Sequence, residues 1–310
     1  MFPLFIMDST KIIVYDNTIE TIERYGHDIV PGKKIEIAKM LEAMNVDVIG
    51  AGFPIRSPND RETVQGVSET CHRATISALA RCSHPSDIDQ AWQSVASAAR
   101  PRLHVFQTTR GMRGFEVCMS EKQVIESAIT GVRHAKGLCD DVQFSAEDTT
   151  LLDPGFAREL YREAAIAGAT TVNVVDPPIT LQEMLRSPGR RRNGDIGQSR
   201  MRDTVETIVK AVKGMDVMIG GHCYGPADPH MNAPIAPHSA VTAVHAAEEG
   251  ARQLTCCVRG PRDIDQEGNP SITSLSLLSG VVSVLLGNRF RFGVTLQDMH
   301  KIGQILKSQR

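Results

Sequence analysis

The sequence lacks the features that would place it outside the ordinary soluble globular proteins. Its 310 residues contain no run of about 18 apolar residues, so no membrane-spanning helix is predicted. The formal net charge of −2 gives no excess of one sign, and we expect neither a nucleic-acid nor an anionic-membrane partner. The apolar N-terminus is short and has no basic flank, so we expect no cleaved signal peptide.

Motifs for several other protein classes are also missing. The seven cysteines are scattered and form no C-x-x-C pair, which argues against a disulfide framework or a structural zinc site and favours the cytoplasm. No G-x-G-x-x-G follows the first predicted strand and no P-loop is present, so nicotinamide and nucleoside triphosphate chemistry are unsupported.

What the sequence does contain is a repeated alternation of short apolar runs with segments of helical spacing. Eight runs are rich in apolar and β-branched residues: Lys11–Asp16, Val46–Pro54, Ala74–Ala80, Leu103–Thr109, Val142–Thr149, Thr170–Asp176, Asp216–Cys223 and Gln253–Arg259. Nearly continuous apolar runs are typical of strands covered on both faces. Eight such units predict an α/β protein with the (β/α)8 TIM barrel fold. An open doubly wound sheet is the alternative, but it would normally have fewer strands.

Helix boundaries can be predicted at two places. Ser120 with Gln123 three residues later has the spacing of a capping box. Asp153 followed by Pro154 is typical of a helix start, and Gly168 marks the end of the same helix.

We expect one domain, a barrel over residues 1–285, with residues 286–310 as a C-terminal helical extension of it. Two insertions, 186–202 and 225–238, fall on strand-to-helix connections and so at the barrel face where active sites form. The first is rich in glycine and arginine. It is either a solvated loop or a lid that recognises anionic groups, for example through Arg190–Arg192.

Several motifs in the right order carry a family resemblance. Residues 12–24, IIVYDNTIETIER, resemble the pattern D-T-T-L-R-D-G-E-Q, and VDVIGAGFPIRSPND, VQFSAEDTTLLDP and AIAGATTVNVVDP resemble later motifs of the same family. The chain is identified as a divergent member of the isopropylmalate synthase / homocitrate synthase / HMG-CoA lyase superfamily, the HMGL-like or DRE-TIM metallolyases. The resemblance implies a (β/α)8 barrel and a divalent metal that stabilises an enolate or alkoxide.

The residues at the implied metal-ligand positions differ from the family pattern. The aspartate of the first motif is replaced by Thr21, and the H-x-H after the seventh strand reads His222, Cys223 and Tyr224. Asn269 matches an asparagine near the eighth strand. We therefore expect no metal by the standard pattern and predict no cofactor firmly.

A rebuilt metal site is the alternative. Glu20 stands beside the lost aspartate, and the second insertion contributes His230. Together with His222, these residues are an acceptable ligand set for a divalent ion.

Other positions of the family pattern are changed as well. Glu20 stands at its arginine, Gly50 at the glutamate of the second strand, Met112 at a histidine and Pro177 at a threonine. So many replacements at one barrel face indicate that the site itself has changed.

Polar side chains at the predicted strand ends supply the candidate site. The catalytic candidates are Glu147, His222, Glu20 and Tyr224, and the substrate-binding candidates are Arg110, Asp16, Asp176 and Asn269. Glu147 matches the family's S-A-E-D motif and is the main acid–base candidate, because crowding by Asp148 would raise its pKa. Asp16 has an alternative role, which is to anchor the first loop.

These observations predict an enzyme, a transferase or lyase that makes or breaks a carbon–carbon bond in a small oxo- or hydroxy-acid. An anionic acid or an acyl thioester is the expected substrate, and a homodimer is the expected assembly. Two alternatives stay open: an inactive barrel that serves as a binding or partner protein, and a different reaction, hydrolysis or isomerisation, on the same frame.

Overall fold

The computed structural model describes residues 10–24, 29–109, 119–176, 198–223, 236–257, 290–291, 293–295, 301–302 and 304–305. Arg110, Met112, Pro177, Arg190–Arg192, Tyr224, His230 and Asn269 lie outside these residues, so the predictions made for them stay predictions. Among the described residues, no helix combines the length and apolarity that crossing a membrane requires.

Eight parallel strands close into a barrel, which confirms the predicted (β/α)8 fold. After a two-residue strand β1 (Thr10–Lys11), the barrel strands are β2 (Ile13–Asp16), β3 (Val48–Gly52), β4 (Thr75–Arg81), β5 (Pro101–Gln107), β6 (Val142–Ala146), β7 (Thr171–Val175), β8 (Met218–His222) and β9 (Gln253–Cys256). Each strand pairs with the next, and β9 closes the barrel by pairing with β2. Each of the eight predicted runs overlaps one of these strands; β4 extends one residue beyond its run, and β5 begins two residues before its run.

Helices connect the strands and form the outer layer. They are α1 (Thr18–Arg24), α2 (Pro31–Ala43), α3 (Pro58–Thr70), α4 (Pro85–Val95), α5 (Glu121–Leu138), α6 (Pro154–Ala167), α7 (Gln198–Ala211) and α8 (Ala236–Glu249), with a short 3-10 turn at Thr149–Leu151. The start of α7 takes up the last residues of the Arg-rich insertion. There Arg202 forms an ion pair with Glu249 at 2.6 Å, so this arginine supports the scaffold.

The predicted helix boundaries are confirmed by their capping contacts. The Ser120 side chain accepts a hydrogen bond from the Gln123 backbone N–H, and the Gln123 side-chain oxygen accepts one from the Ser120 backbone N–H. Asp153 caps α6 by accepting from the backbone of the first helical turn. The same helix ends at Gly168, whose φ of 117° is in the left-handed region that favours glycine.

The main core lies between the barrel strands and the helices. The outward residues of the strands are buried and apolar, as shown by Ile76, Leu103, Phe144, Val172 and Leu254, each 0% exposed. Phe144 packs edge to face against Tyr161 of α6, with ring centroids 5.5 Å apart. Because strand side chains alternate between faces, the other half of each strand points into the barrel.

The C-terminal segment contacts the start of the chain. A second two-residue strand, β10 (Phe290–Arg291), pairs in parallel with β1, and the Thr295 backbone donates to the Met44 carbonyl at 2.8 Å. Helical positions occur at 301–302 and 304–305. The predicted domain boundary at residue 285 lies outside the described residues and stays a prediction.

Candidate active site

The barrel interior is lined by polar side chains that bond across the barrel. Arg102 on β5 donates to Gln143 on β6 at 3.1 Å and to Gln253 on β9 at 2.7 Å. Gln253 in turn donates to the Gln143 carbonyl oxygen at 2.9 Å. Strands β5 and β9 are not neighbours, so this cluster spans the inside of the barrel. It fills the interior with satisfied polar groups in place of apolar ones.

His104 lies next to this cluster, two residues further along β5. Its Nε2 is 2.7 Å from the Ser145 hydroxyl and 3.3 Å from the Gln143 side-chain nitrogen. Its Nδ1 is 3.4 Å from the Tyr15 hydroxyl. Burial, with smaller effects from Arg102 and His222, lowers the pKa of His104 to about 3, so the ring is neutral at physiological pH.

Tyr15 connects the interior to Glu20, a residue of the first helix. The Tyr15 hydroxyl donates to Glu20 Oε1 at 2.9 Å and lies 3.1 Å from Ser77 Oγ. Burial and the neighbouring Glu20 charge raise the pKa of Tyr15 well above its ordinary value, so the phenol keeps its proton. The Glu20 carboxylate is thus held on the inner side of the barrel.

Gly50 on β3 provides the space that the Glu20 carboxylate occupies. A Cβ atom built on Gly50 would lie 2.5 Å from Glu20 Oε1, which is too close for a real contact. The pairing of β3 with β4 shifts register between Gly50 and Gly52, an irregularity of the kind common near active sites. Glycine at the family's glutamate position therefore accommodates a carboxylate that comes from the neighbouring helix.

Asp176 and His222 lie at the ends of β7 and β8. Asp176 accepts a hydrogen bond from the Thr150 hydroxyl at 2.5 Å, and its backbone donates to the His222 carbonyl at 3.0 Å. Burial raises the pKa of Asp176 from 3.8 to about 6. The His222 ring contacts a third element, because its Nε2 is 3.4 Å from the Asn17 amide nitrogen after β2.

Glu147 follows the last residue of β6, on the same barrel face. Its backbone donates to the Gln107 carbonyl at 2.9 Å, and its carbonyl accepts from the Thr109 hydroxyl at 2.7 Å. The next residue, Asp148, has a φ of 53°, in the left-handed region that non-glycine residues seldom adopt. This turn places Glu147 at the mouth, half-buried.

Asp16 lies on the outer face of its strand, because its neighbour Tyr15 points inward. It is 0% exposed, accepts a hydrogen bond from the Thr18 backbone at 2.9 Å and lies 3.9 Å from Cys256 Sγ. Burial raises the pKa of Asp16 from 3.8 to about 7. This placement favours the anchoring role for Asp16 over the substrate-binding role.

The donor set at the described ligand positions does not suit a divalent ion. Thr21 offers a neutral hydroxyl where the family has a carboxylate, and His222 lies within hydrogen-bonding distance of an amide. Glu20 accepts from Tyr15. No group of three or more histidine, cysteine, aspartate or glutamate side chains in the described part of the chain is arranged to hold a metal.

The sequence reasoning missed the interior residues Tyr15, His104, Ser145 and Asn173. A signal was present, because polar residues alternate with apolar ones in RLHV (102–105) and QFS (143–145). A period of two indicates one polar and one apolar strand face. Because α/β barrels are covered by helices outside, the polar face had to be the inner one.

Comparisons with known proteins agree with this architecture. The HMGL-like family model matches residues 24–184. A 2-isopropylmalate synthase of Rhodopirellula baltica is 34% identical over 269 residues, covering 86% of this chain and 46% of the relative. A second enzyme of that name, from Xanthomonas axonopodis pv. citri, is 34% identical over 254 residues, covering 81% of this chain and 44% of the relative. The chain thus spans about half the length of the curated relatives it matches.

A solved structure supports the fold. The carboxyl transferase domain of Rhizobium etli pyruvate carboxylase superimposes with a TM-score of 0.66 at 12% identity, covering 99% of this chain and 48% of that one. At this identity the similarity concerns the barrel alone.

Proposed function

Because the chain belongs to the HMGL-like family, we propose that it is an enzyme that makes or breaks a carbon–carbon bond in a small oxo- or hydroxy-acid. The enzyme names of its relatives support this activity, as does the polar barrel mouth. In the synthetic direction, the carbon next to an acyl thioester carbonyl loses a proton and attacks the oxo carbon of the acid. The new alkoxide then takes up a proton.

The residues at the mouth divide these roles. Glu147 is the proposed base that removes the proton from the thioester partner, and His222 is the proposed acid that protonates the alkoxide. Glu20 contributes a fixed negative charge on the opposite side of the mouth, where it orients polar groups of the substrate. Arg110 or Arg190–Arg192 would hold the anionic group of the acid.

We further propose that this chemistry departs from the standard metal-assisted mechanism. The support comes from the ligand positions, where Thr21 replaces a carboxylate and His222 lies beside Asn17. Without a metal, the developing negative charge on oxygen needs hydrogen-bond donors and protonated side chains close by.

One observation carries the proposal of an enzyme. Glu147, Asp176 and His222 follow or end adjacent barrel strands at the carboxyl face, where barrel enzymes form their sites. Beneath them lies a buried polar network that includes His104 and Tyr15. Such a network adds little net stability, because each buried polar group must be matched. A barrel that only binds a partner at its surface has no need for it, so the network favours an enzyme over the inactive alternative.

The test is an activity assay on the purified chain. Acetyl-CoA is incubated with a panel of small 2-oxo-acids, and release of free thiol is followed, since condensation with thioester hydrolysis liberates it. We expect Glu147→Gln to reduce turnover roughly 10²- to 10⁴-fold, the usual contribution of a general base. The matched control is Glu159→Gln, an exposed glutamate of α6, which should leave turnover unchanged.

Three results would contradict parts of the proposal. Equal turnover in Glu147→Gln and the wild type would exclude Glu147 as the base. No turnover with any acid, together with no ligand-induced rise in melting temperature, would favour the non-catalytic protein. One equivalent of divalent metal in protein purified without chelators would contradict the departure from metal-assisted chemistry.

A further inference from the structure

We propose that Tyr15 is a positioning residue for the Glu20 carboxylate, and that hydrogen bonds starting at Arg102 and passing through Gln143 and His104 direct the Tyr15 proton onto it. The inference rests on the proposed function in one respect, that Glu20 is a group of the site. The direction of each hydrogen bond follows from donor and acceptor chemistry along the chain of contacts.

The contact with Arg102 fixes the orientation of the Gln143 amide. Arg102 carries only donors, so the Gln143 atom 3.1 Å from its guanidinium must be the carbonyl oxygen. The Gln253 nitrogen donates to the same oxygen at 2.9 Å, which fixes this orientation a second time. The Gln143 NH₂ group therefore points the other way, towards His104.

The Gln143 amide, in this orientation, fixes the tautomer of His104. The Gln143 NH₂ lies 3.3 Å from His104 Nε2 and can only donate, so Nε2 is an acceptor without a proton. With Nε2 unprotonated, the Ser145 hydroxyl 2.7 Å away is the donor in that contact, while its oxygen accepts from the Asn173 amide at 3.1 Å. The single ring proton is then on Nδ1, and the ring is neutral, as its lowered pKa also indicates.

The His104 tautomer in turn determines the direction in which the Tyr15 hydroxyl donates its proton. His104 Nδ1–H faces the phenol oxygen at 3.4 Å, so that oxygen accepts from the ring. The phenol proton is left to donate. Two acceptors lie within reach, and the Glu20 carboxylate at 2.9 Å is both closer and a stronger acceptor than the Ser77 hydroxyl at 3.1 Å. All donors in the chain thus point from Arg102 towards Glu20, and a hydrogen bond to a charged acceptor is the strongest in it.

These hydrogen bonds reach Glu20 from the barrel strands and add to whatever its own helix contributes to its position. Glu20 lies in the first turn of α1 and reaches inward over Gly50, where a side chain on the strand would collide with it. The Tyr15 hydroxyl holds the carboxylate in that space. Without this donor, we expect the Glu20 carboxylate to sample a wider range of rotamers.

The hydrogen-bond relay from Arg102 through Gln143, His104 and Tyr15 to Glu20 can be tested without an activity assay, by determining the tautomer of His104. In protein labelled with ¹⁵N-histidine, NMR at neutral pH should show a protonated Nδ1 and an unprotonated Nε2 for His104. The signal is assigned by its loss in His104→Gln. A protonated Nε2, or a mixture of both tautomers, would overturn the proposal, because Tyr15 would then donate to His104 instead of Glu20.

The test of positioning compares two buried tyrosines. Tyr15→Phe should lower kcat roughly 10- to 100-fold, as expected for losing a hydrogen bond to a charged group, with KM changed less than kcat. Tyr161→Phe removes a buried hydroxyl outside the barrel interior, which donates to the Asn173 carbonyl and accepts from the Ala146 backbone. It should lower stability and lower kcat much less than Tyr15→Phe does. Equal kcat in Tyr15→Phe and the wild type would overturn the role of Tyr15. An inactive wild type with the expected His104 tautomer would contradict the proposed function and leave the relay standing.

Discussion

The two faces of the same barrel strands differ in chemistry and in what they contribute. On β6, Phe144 points outward into the helix layer, whereas its neighbours Gln143 and Ser145 point inward and bond to Arg102 and His104. On β7, Val172 and Val174 are outward and Asn173 is inward. The outer face follows from the demands of folding. The inner face carries polar groups that folding alone does not require.

The energies of the two faces differ accordingly. Burying one large apolar side chain contributes about 1.5–3 kcal/mol, whereas a matched hydrogen bond contributes a net ~1 kcal/mol. The outer face therefore supplies most of the stability. An inner residue is costly to change only when its partner is left buried without a hydrogen bond.

The largest expected effect on stability comes from comparing an outward and an inward residue of the same strand, Phe144 and Ser145 of β6. Phe144→Ala should lower the free energy of unfolding by roughly 3–5 kcal/mol, because it leaves a cavity against Tyr161. Ser145→Ala should lower it by about 1–3 kcal/mol, because His104 and Asn173 each lose a partner. Urea denaturation monitored by circular dichroism measures both. If Ser145→Ala cost as much as Phe144→Ala, the division between the faces would not hold.

The same division explains how much could be predicted from sequence. Eight apolar runs, among them VDVIGAGF and TTVNVV, predict eight strands with helices between them and so a closed barrel, and the caps Ser120 and Asp153 mark two of the helix starts. Periodicity records burial, and burial decides the fold.

The site was less predictable, because it depends on contacts between residues far apart in sequence. Tyr15 meets His104 across 89 positions, and no local pattern indicates such a contact. The sequence predicts Glu20 as a site residue because it stands beside a lost metal ligand, but the position of its carboxylate over Gly50 follows only from three-dimensional packing. The two replacements, a glutamate gained on the helix and one lost from the strand, are related in space and appear unrelated in sequence.

Asp16 is a buried acidic residue on the outer face, and its contribution to stability should depend on pH. Its folded-state pKa of about 7 is raised from 3.8 by burial, so between these values the folded protein holds a proton that the unfolded chain has lost. Stability should therefore fall as pH rises from about 4 to 7 and level off above 7. Asp16→Asn removes this cost and keeps an acceptor for the Thr18 backbone. We expect it to be more stable than the wild type at pH 8, by up to about 4 kcal/mol, with the difference shrinking to below about 1 kcal/mol near pH 4.

Thermal unfolding of both proteins across this pH range measures the difference. Asp203→Asn, at an exposed position of α7, is the matched control and should differ from the wild type by a constant amount at every pH. A constant difference for Asp16→Asn as well would mean that Asp16 is ionised in the folded protein throughout the range.

The smallest expected effect on stability comes from a substitution at Gly50, which tests whether the Glu20 carboxylate occupies the space over this glycine. In Gly50→Ala the new Cβ would lie 2.5 Å from Glu20 Oε1, so the flexible carboxylate must move away from Tyr15. We expect a loss of about 1 kcal/mol in stability, the cost of one hydrogen bond, and a loss of turnover similar to that of Tyr15→Phe.

A double-mutant cycle provides the control, because in a Glu20→Ala background the collision is gone. There Gly50→Ala should be stabilising by roughly 0.5 kcal/mol, since Gly50 is not among the glycines with positive φ and alanine restricts the unfolded chain. The double-mutant cycle should therefore show a coupling of about 1.5 kcal/mol, within the usual range for residues in contact. Additive effects would show that the carboxylate does not occupy the space over Gly50, and that the inner face at this point is no different from any other part of the barrel.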